Sequence, residues 1–159
     1  MWAKRLNELL LVNLKFLRYK IFFKIKKIVN DMIPDRFLVE YGSILHPEDR
    51  FSVTLKNNDL LYKEGKIDET SERVNSTEPV TPSENQWTDF WDKMDDIGLW
   101  EWNEHYDLCC FDGTQWKVQI SLEDMEVESE GVNDFPDSFM EFVGALEDLM
   151  DMDLKLDFP

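Results

Sequence analysis

Hydrophobic and polar positions alternate most cleanly within residues 100–136. Trp116, Val118 and Ile120 fall on one side of an extended chain, and Gln115, Lys117 and Gln119 on the other, the signature of a half-buried strand. The loop Phe111-Asp112-Gly113, with glycine able to adopt positive φ, is expected to turn an earlier strand back onto this one. That register sets Leu108 opposite Trp116 and Tyr106 opposite Val118. A second turn over residues 121–124 leads into a further strand. There Met125 and Val127 continue the apolar face, Glu126, Glu128 and Glu130 point outward, and Lys117 falls across from Glu128.

Two helices flank this region. Ser83 and Gln86 have capping-box spacing, and Trp87, Phe90, Trp91, Met94 and Ile97 recur at helical intervals until Gly98. Pro136 suits a first helical position, with Phe139, Phe142, Val143, Leu146, Leu149 and Met150 on one side. Ahead of them, residues 37–46 and 50–55 read as strands separated by H-P-E-D, and Leu60, Leu61 and Tyr62 as a short third strand after the turn-like Asn57-Asn58-Asp59. Residues 64–82 are polar, contain two prolines and follow neither period, so a loop is expected there. The fold class is therefore α+β: an antiparallel meander sheet with two amphipathic helices on one face, plus an N-terminal basic amphipathic helix. The expected division is 1–33 for that helix and 34–159 for an acidic domain, with the polar loop at 64–82.

The N-terminal pattern has its own period. Leu6, Leu10, Leu14, Leu17, Ile21, Ile25 and Ile28 form one stripe with an eleven-residue repeat, and Trp2, Leu9, Phe16 and Phe23 widen it into a helix contact face that something must cover. Its own domain, a second copy in a homo-oligomer, a protein partner or an anionic membrane surface are the alternatives. A bilayer span is disfavoured because Lys15, Arg18 and Lys20 interrupt every window of suitable length.

Charge divides the chain further. Eight cations (Lys4, Arg5, Lys15, Arg18, Lys20, Lys24, Lys26 and Lys27) against Glu8 give residues 1–30 a net charge of +7, leaving −24 on the other 129 residues of a chain whose total is −17. An acidic body argues against direct nucleic-acid binding and for a basic protein partner. The C-terminal ends of both helices are acidic too: Asp95 and Asp96 in one, Glu147, Asp148, Asp151 and Asp153 in the other. There backbone carbonyls already concentrate negative potential, which suggests that the acidity has a use. Eleven phenylalanines and six tryptophans supply a real core. Only two cysteines, adjacent at 109 and 110, suit a reducing compartment, and the lysine-broken N-terminal run does not resemble a cleavable signal, so a cytoplasmic location is expected.

No motif for catalysis stands out: P-loop, G-x-S-x-G, H-E-x-x-H and dinucleotide glycine patterns are all missing. His105 with Cys109 and Cys110 falls short of the four converging ligands of a structural zinc site. Asp151, Asp153 and Asp157 lack the glycine and terminal glutamate of a calcium loop. Glu101, Glu104 and Asp107 are the nearest thing to an acid-base set, in a chain where neighbouring carboxylates are common. The reading is a protein with no catalytic residue, no metal and no cofactor.

The run W-x-W-x-x-x-Y (Trp100, Trp102, Tyr106), D-G-x-x-W-x-V-x-I (Asp112, Gly113, Trp116, Val118, Ile120) and G-x-N-x-[FY]-P-x-x-F (Gly131, Asn133, Phe135, Pro136, Phe139) resembles a group of small, largely uncharacterised bacterial proteins, immunity-protein-like in kind. The resemblance covers about the C-terminal half and implies a fold signature, with glycine, proline and aromatic residues at turns and core positions. The acidic charge leads to a non-enzymatic binding protein, an acidic inhibitor or immunity-like protein docking on a basic partner, with nucleic-acid mimicry as a version of the same idea. Candidate contacts are Glu123, Asp124, Glu126, Glu128, Glu147, Asp148, Asp151 and Asp153. The alternative is a membrane-peripheral component held by residues 1–30.

Overall fold

In a computed structural model, residues 32–65, 75–108, 112–154 and 156 are described. The expected N-terminal helix with its contact face lies outside them, as do Cys109, Cys110 and Asp157. The described residues form an α+β fold. Seven strands make one mixed sheet in the order β4-β3-β2-β1-β6-β7-β5: β1 (Arg36–Ser43), β2 (Phe51–Lys56), β3 (Asp59–Glu64), β4 (Asn75–Ser76), β5 (His105–Asp107), β6 (Thr114–Leu122) and β7 (Met125–Val132). Helices α1 (Glu84–Asp96) and α2 (Phe139–Met150) complete it.

The alternation seen in the sequence sets the inward face. Phe37, Val39 and Tyr41 of β1 are buried and lie opposite Ile120, Val118 and Trp116 of β6. On the other side of β1, Val39 faces Val53 and Tyr41 faces Phe51, and the stacked rings of Tyr41, Phe51 and Tyr62 carry the core across to β3. β2 and β3 are joined through Asn57 and Asn58 at φ 53° and 69°, the left-handed pair that a two-residue hairpin turn requires and asparagine tolerates. Both helices cover this one face. Phe37 packs against Trp87 and Phe90 of α1, while Tyr41 and Trp116 pack against Phe139 of α2.

The expected antiparallel meander is not what forms. β1 pairs with β6, so the chain leaves the β1-β2-β3 run, builds α1 and β5, and only then returns to the middle of the sheet. The hairpin expected at 111–113 is also absent: β5 pairs in parallel with β7, Tyr106 opposite Gly131, and Leu108 is 59 % exposed. Both sides of β6 are taken, by β1 and β7, and β5 lies instead along the far edge of β7. Tyr106 still reaches Trp116, its ring 5.7 Å away at centroid, across the small Gly131.

The β6–β7 connection is shorter than expected. Leu122 pairs with Met125 around a turn of Glu123 and Asp124, which places Lys117 opposite Glu130 rather than Glu128. A shift of two residues keeps every side chain on its face, so alternation alone does not distinguish the two registers. The stretch expected to be a polar loop is also partly built into the sheet. Asn75 and Ser76 pair with Glu64 and Lys63, and Val80 exchanges two backbone hydrogen bonds with Leu60.

Helix α1 begins with the full reciprocal capping box of Ser83 and Gln86 and ends before Gly98 at φ 68°. Trp87, Phe90, Trp91 and Met94 are buried along it. α2 starts three residues later than Pro136, after a turn in which Phe139 N donates to Pro136 O at 2.9 Å. Ser138, at the N-cap, does not cap. Its hydroxyl donates to Ile97 O and accepts from Trp102 Nε1, both at 3.1 Å, and so ties the end of α1 to the start of α2. At the opposite ends, Gln86 Nε2 lies 3.5 Å from Leu149 O, so the helices run antiparallel over the sheet.

Candidate functional site

The residues around the resemblance motif form a structural clasp. Asn133, at φ 57°, accepts at Oδ1 from Thr114 N and donates from Nδ2 to Asp112 O, each at 2.9 Å. Gly113, at φ 140°, leaves room for that amide: a Cβ there would overlap it. Trp116 Nε1 passes over Gly131 to donate to Asp134 O at 2.7 Å. These groups are occupied in holding β6 to β7, which leaves the adjoining segment as the candidate for a ligand.

That segment is residues 99–104. Leu99 is buried in a 3-10 turn, Leu99–Glu101, immediately after Gly98. Trp100 donates from Nε1 to Asp95 Oδ1 at 3.1 Å and stacks on Trp91, while Trp102 sits edge-on to Phe142 and Trp116. Further along, Asn103 O accepts from the buried Ser129 hydroxyl at 2.7 Å, and Glu104 O accepts from Glu130 N at 3.0 Å. Through these two bonds the chain comes alongside β7 at Asn103 and Glu104, just ahead of β5. β5 accompanies residues 130–132 of β7, and among the described residues no strand lies beside 126–129 on that side.

A groove of about 710 Å³ opens there. Half-buried Trp100 and Trp102 wall one side, and Val127 and Ser129 form part of its lining. Glu104, Glu126, Glu128 and Glu130 line it with His105, Lys117 and Gln119, so four carboxylates stand against one lysine. Lys117 Nζ is 3.0 Å from Glu130 Oε2, and His105 Nδ1 is 3.7 Å from the same carboxylate's Oε1. Arg36 Nη1 reaches Glu128 Oε1 at 2.5 Å and Glu126 at 4.0 Å from the open face of the sheet. These pairs are about half-exposed, so each contributes only about 0–1 kcal/mol and an incoming cation can compete for the carboxylates.

The eight acidic candidates from the sequence are brought to one end of the sheet but split between its two faces. Glu123 and Asp124 form the exposed β6–β7 turn, at the end where Phe37 meets α1. Helix α2 runs from Phe139, beside Trp116, towards this same end, so Glu147, Asp148, Asp151 and Asp153 belong to it as well. Glu126 and Glu128 emerge on the face away from the helices, because they alternate with buried Val127 and Ser129. Glu147 has a local role: its Oε1 accepts from Leu154 N at 2.8 Å and so closes the chain after α2, where Asp151 turns at φ 50°. Asp148, Asp151 and Asp153 are exposed.

Nothing in the sequence pattern marks Trp100, Trp102, His105, Lys117 or Glu130 as lining residues of a groove. Glu104 reads there only as an acid-base group, yet Glu101, Glu104 and Asp107 are all exposed. Among the described residues, one group of possible metal ligands converges, His46, Glu48 and Asp49, with ligand atoms within 4.8 Å of one another on and beside the exposed turn Pro47–Asp49. A backbone hydrogen bond, and then His46, hold the Glu48 carboxyl below the usual carboxylate range. Three exposed groups fall short of a closed structural site.

No protein-family model matches the chain, and no curated protein matches it either. No helix among the described residues is long and apolar enough to cross a membrane.

Proposed function

We propose that this is a non-enzymatic binding protein, an acidic, immunity-like inhibitor that docks on a basic protein partner. The observation that supports it most is the groove beside β7, lined by four carboxylates and two tryptophans along a stretch that no strand covers among the described residues. Its charge matches the chain's net −17, which would steer a cationic partner towards it and make association fast and salt-sensitive. Trp100 and Trp102 would add an amphipathic contact surface of the kind that dominates binding energy in protein interfaces.

Affinity purification of the tagged full chain from its host at low salt tests the reading, followed by binding of the recovered protein to Glu126→Gln/Glu128→Gln. A basic protein that is released by salt and bound more weakly by the double variant supports it. Capture of no basic protein at low salt, or equal binding by the variant, counts against it. The rival reading, attachment to anionic lipid through residues 1–30, rests on the cationic and apolar pattern of that segment. Deleting those residues separates the two: the rival loses sedimentation with anionic vesicles, whereas partner binding survives under the first.

A further inference from the structure

The open stretch of β7 has a backbone as well as side chains to offer. Glu130 N–H points away from β6, to Glu104 O, and the alternation of a strand turns the N–H and C=O of Glu128 and Glu126 to that same side. The chain segment that could have paired with them is drawn off as the 3-10 turn Leu99–Glu101 and rejoins as a strand only at His105. The groove occupies the lane left beside residues 126–129.

Resting on the binding reading above, we infer that this lane is a strand-addition site: β7 takes up a short, extended, cationic segment of the partner as an extra strand, continuing the line of β5. Backbone pairing along 126–129 supplies the register, and alternate lysine or arginine side chains of the incoming strand meet Glu126, Glu128 and Glu104. The opposite set of its side chains turns inward, towards Trp100 and Trp102, where a guanidinium or an apolar group fits an aromatic wall. Charge selects the occupant. Sheet edges are commonly protected by like charges, and a second copy of this chain would set Glu126 and Glu128 against carboxylates of its own, so the edge rejects self-pairing while it attracts a cationic strand.

The test uses the whole 159-residue chain and a fluorescent peptide of about eight residues alternating threonine with lysine or arginine, long enough to span the open stretch at roughly 3.3 Å per residue. Two copies carry N-methyl groups on one or the other alternate set of amides, which removes backbone donors without altering charge. Strand addition predicts that one methylated copy, which loses the donors to the carbonyls of both Glu126 and Glu128, binds at least about tenfold more weakly, while the other binds as the parent does. It also predicts slowed hydrogen exchange at the Glu126 and Glu128 amides when the parent peptide is bound. Equal binding by all three peptides, or unchanged exchange at both amides, would overturn strand addition; if Glu126→Gln/Glu128→Gln still weakened the natural partner, the acidic docking reading would stand without it. Failure of the parent peptide to bind would overturn it as well.

Discussion

The side-chain amide of Asn133 lies against Gly113, bridging the turn before β6 to the end of β7 through Thr114 N and Asp112 O. No other residue type at 113 leaves that amide its place, and Asn133 itself sits at a positive φ that suits asparagine. Gly113→Ala is expected to lower stability by about 2–4 kcal/mol, combining the strained φ with the displaced clasp, and Asn133→Ala by about 2–3 kcal/mol. Both destroy the same device, so the double variant should fall well short of the sum. Chemical denaturation of the three variants measures this.

Gly131 is needed for a different reason. A Cβ there would stand 2.6 Å from both Trp116 Nε1 and Tyr106 O and 2.8 Å from Asp134 O. Gly131→Ala must push β5 or the Trp116 ring aside, at about 1–3 kcal/mol. A lower denaturation midpoint, with Tyr106 and Trp116 resonances displaced in the folded spectrum, is the expected result.

Tyr62 predicts an alkaline limit. Its hydroxyl donates to Glu64 Oε1 at 2.9 Å, and burial, reinforced by Glu64, pushes the phenol well above its ordinary value of about 10. The folded protein therefore holds this proton more tightly than the unfolded chain. The contribution is full below about pH 10 and is lost as pH rises beyond it, with a slope of at most about 1.4 kcal/mol per pH unit from this group. Tyr62→Phe should flatten that part of the pH–stability curve.

Arg36 competes with any incoming cation for Glu126 and Glu128. The pairs are half-exposed, so Arg36→Ala should change stability by no more than about 1 kcal/mol. If the groove receives a cationic segment, the same substitution should tighten partner binding by a few-fold, roughly the worth of one exposed ion pair. Calorimetric titration beside a denaturation curve separates the two effects.

What was legible in the sequence was local. Trp116, Val118 and Ile120 declare their strand through a two-residue period, and Ser83 with Gln86 announces the start of α1 through contacts within one turn. Which strand β5 joins was not legible, because the answer depends on β1 and β7 already flanking β6, a competition between segments far apart in the chain. The displacement of Lys117 from Glu128 to Glu130 was invisible for another reason: both registers bury the same residues. Trp100 and Trp102 read simply as sheet aromatics until the turn after Gly98 carries them alongside β7, where each anchors its indole nitrogen inward and leaves part of its surface to the groove. The acidic character of 123–128 and 147–153 was plain, but not that Glu147 is drawn inward to hold Leu154 N while Glu126 and Glu128 flank an open edge.

Whether the acidic edge of β7 receives a basic partner is read from the salt dependence of that partner's binding to the unaltered protein and to Glu126→Gln/Glu128→Gln. Affinity should fall steeply with added salt for the unaltered protein and be both weaker and less salt-dependent for the variant. Identical affinities and identical salt dependence for the two proteins would contradict docking at that edge.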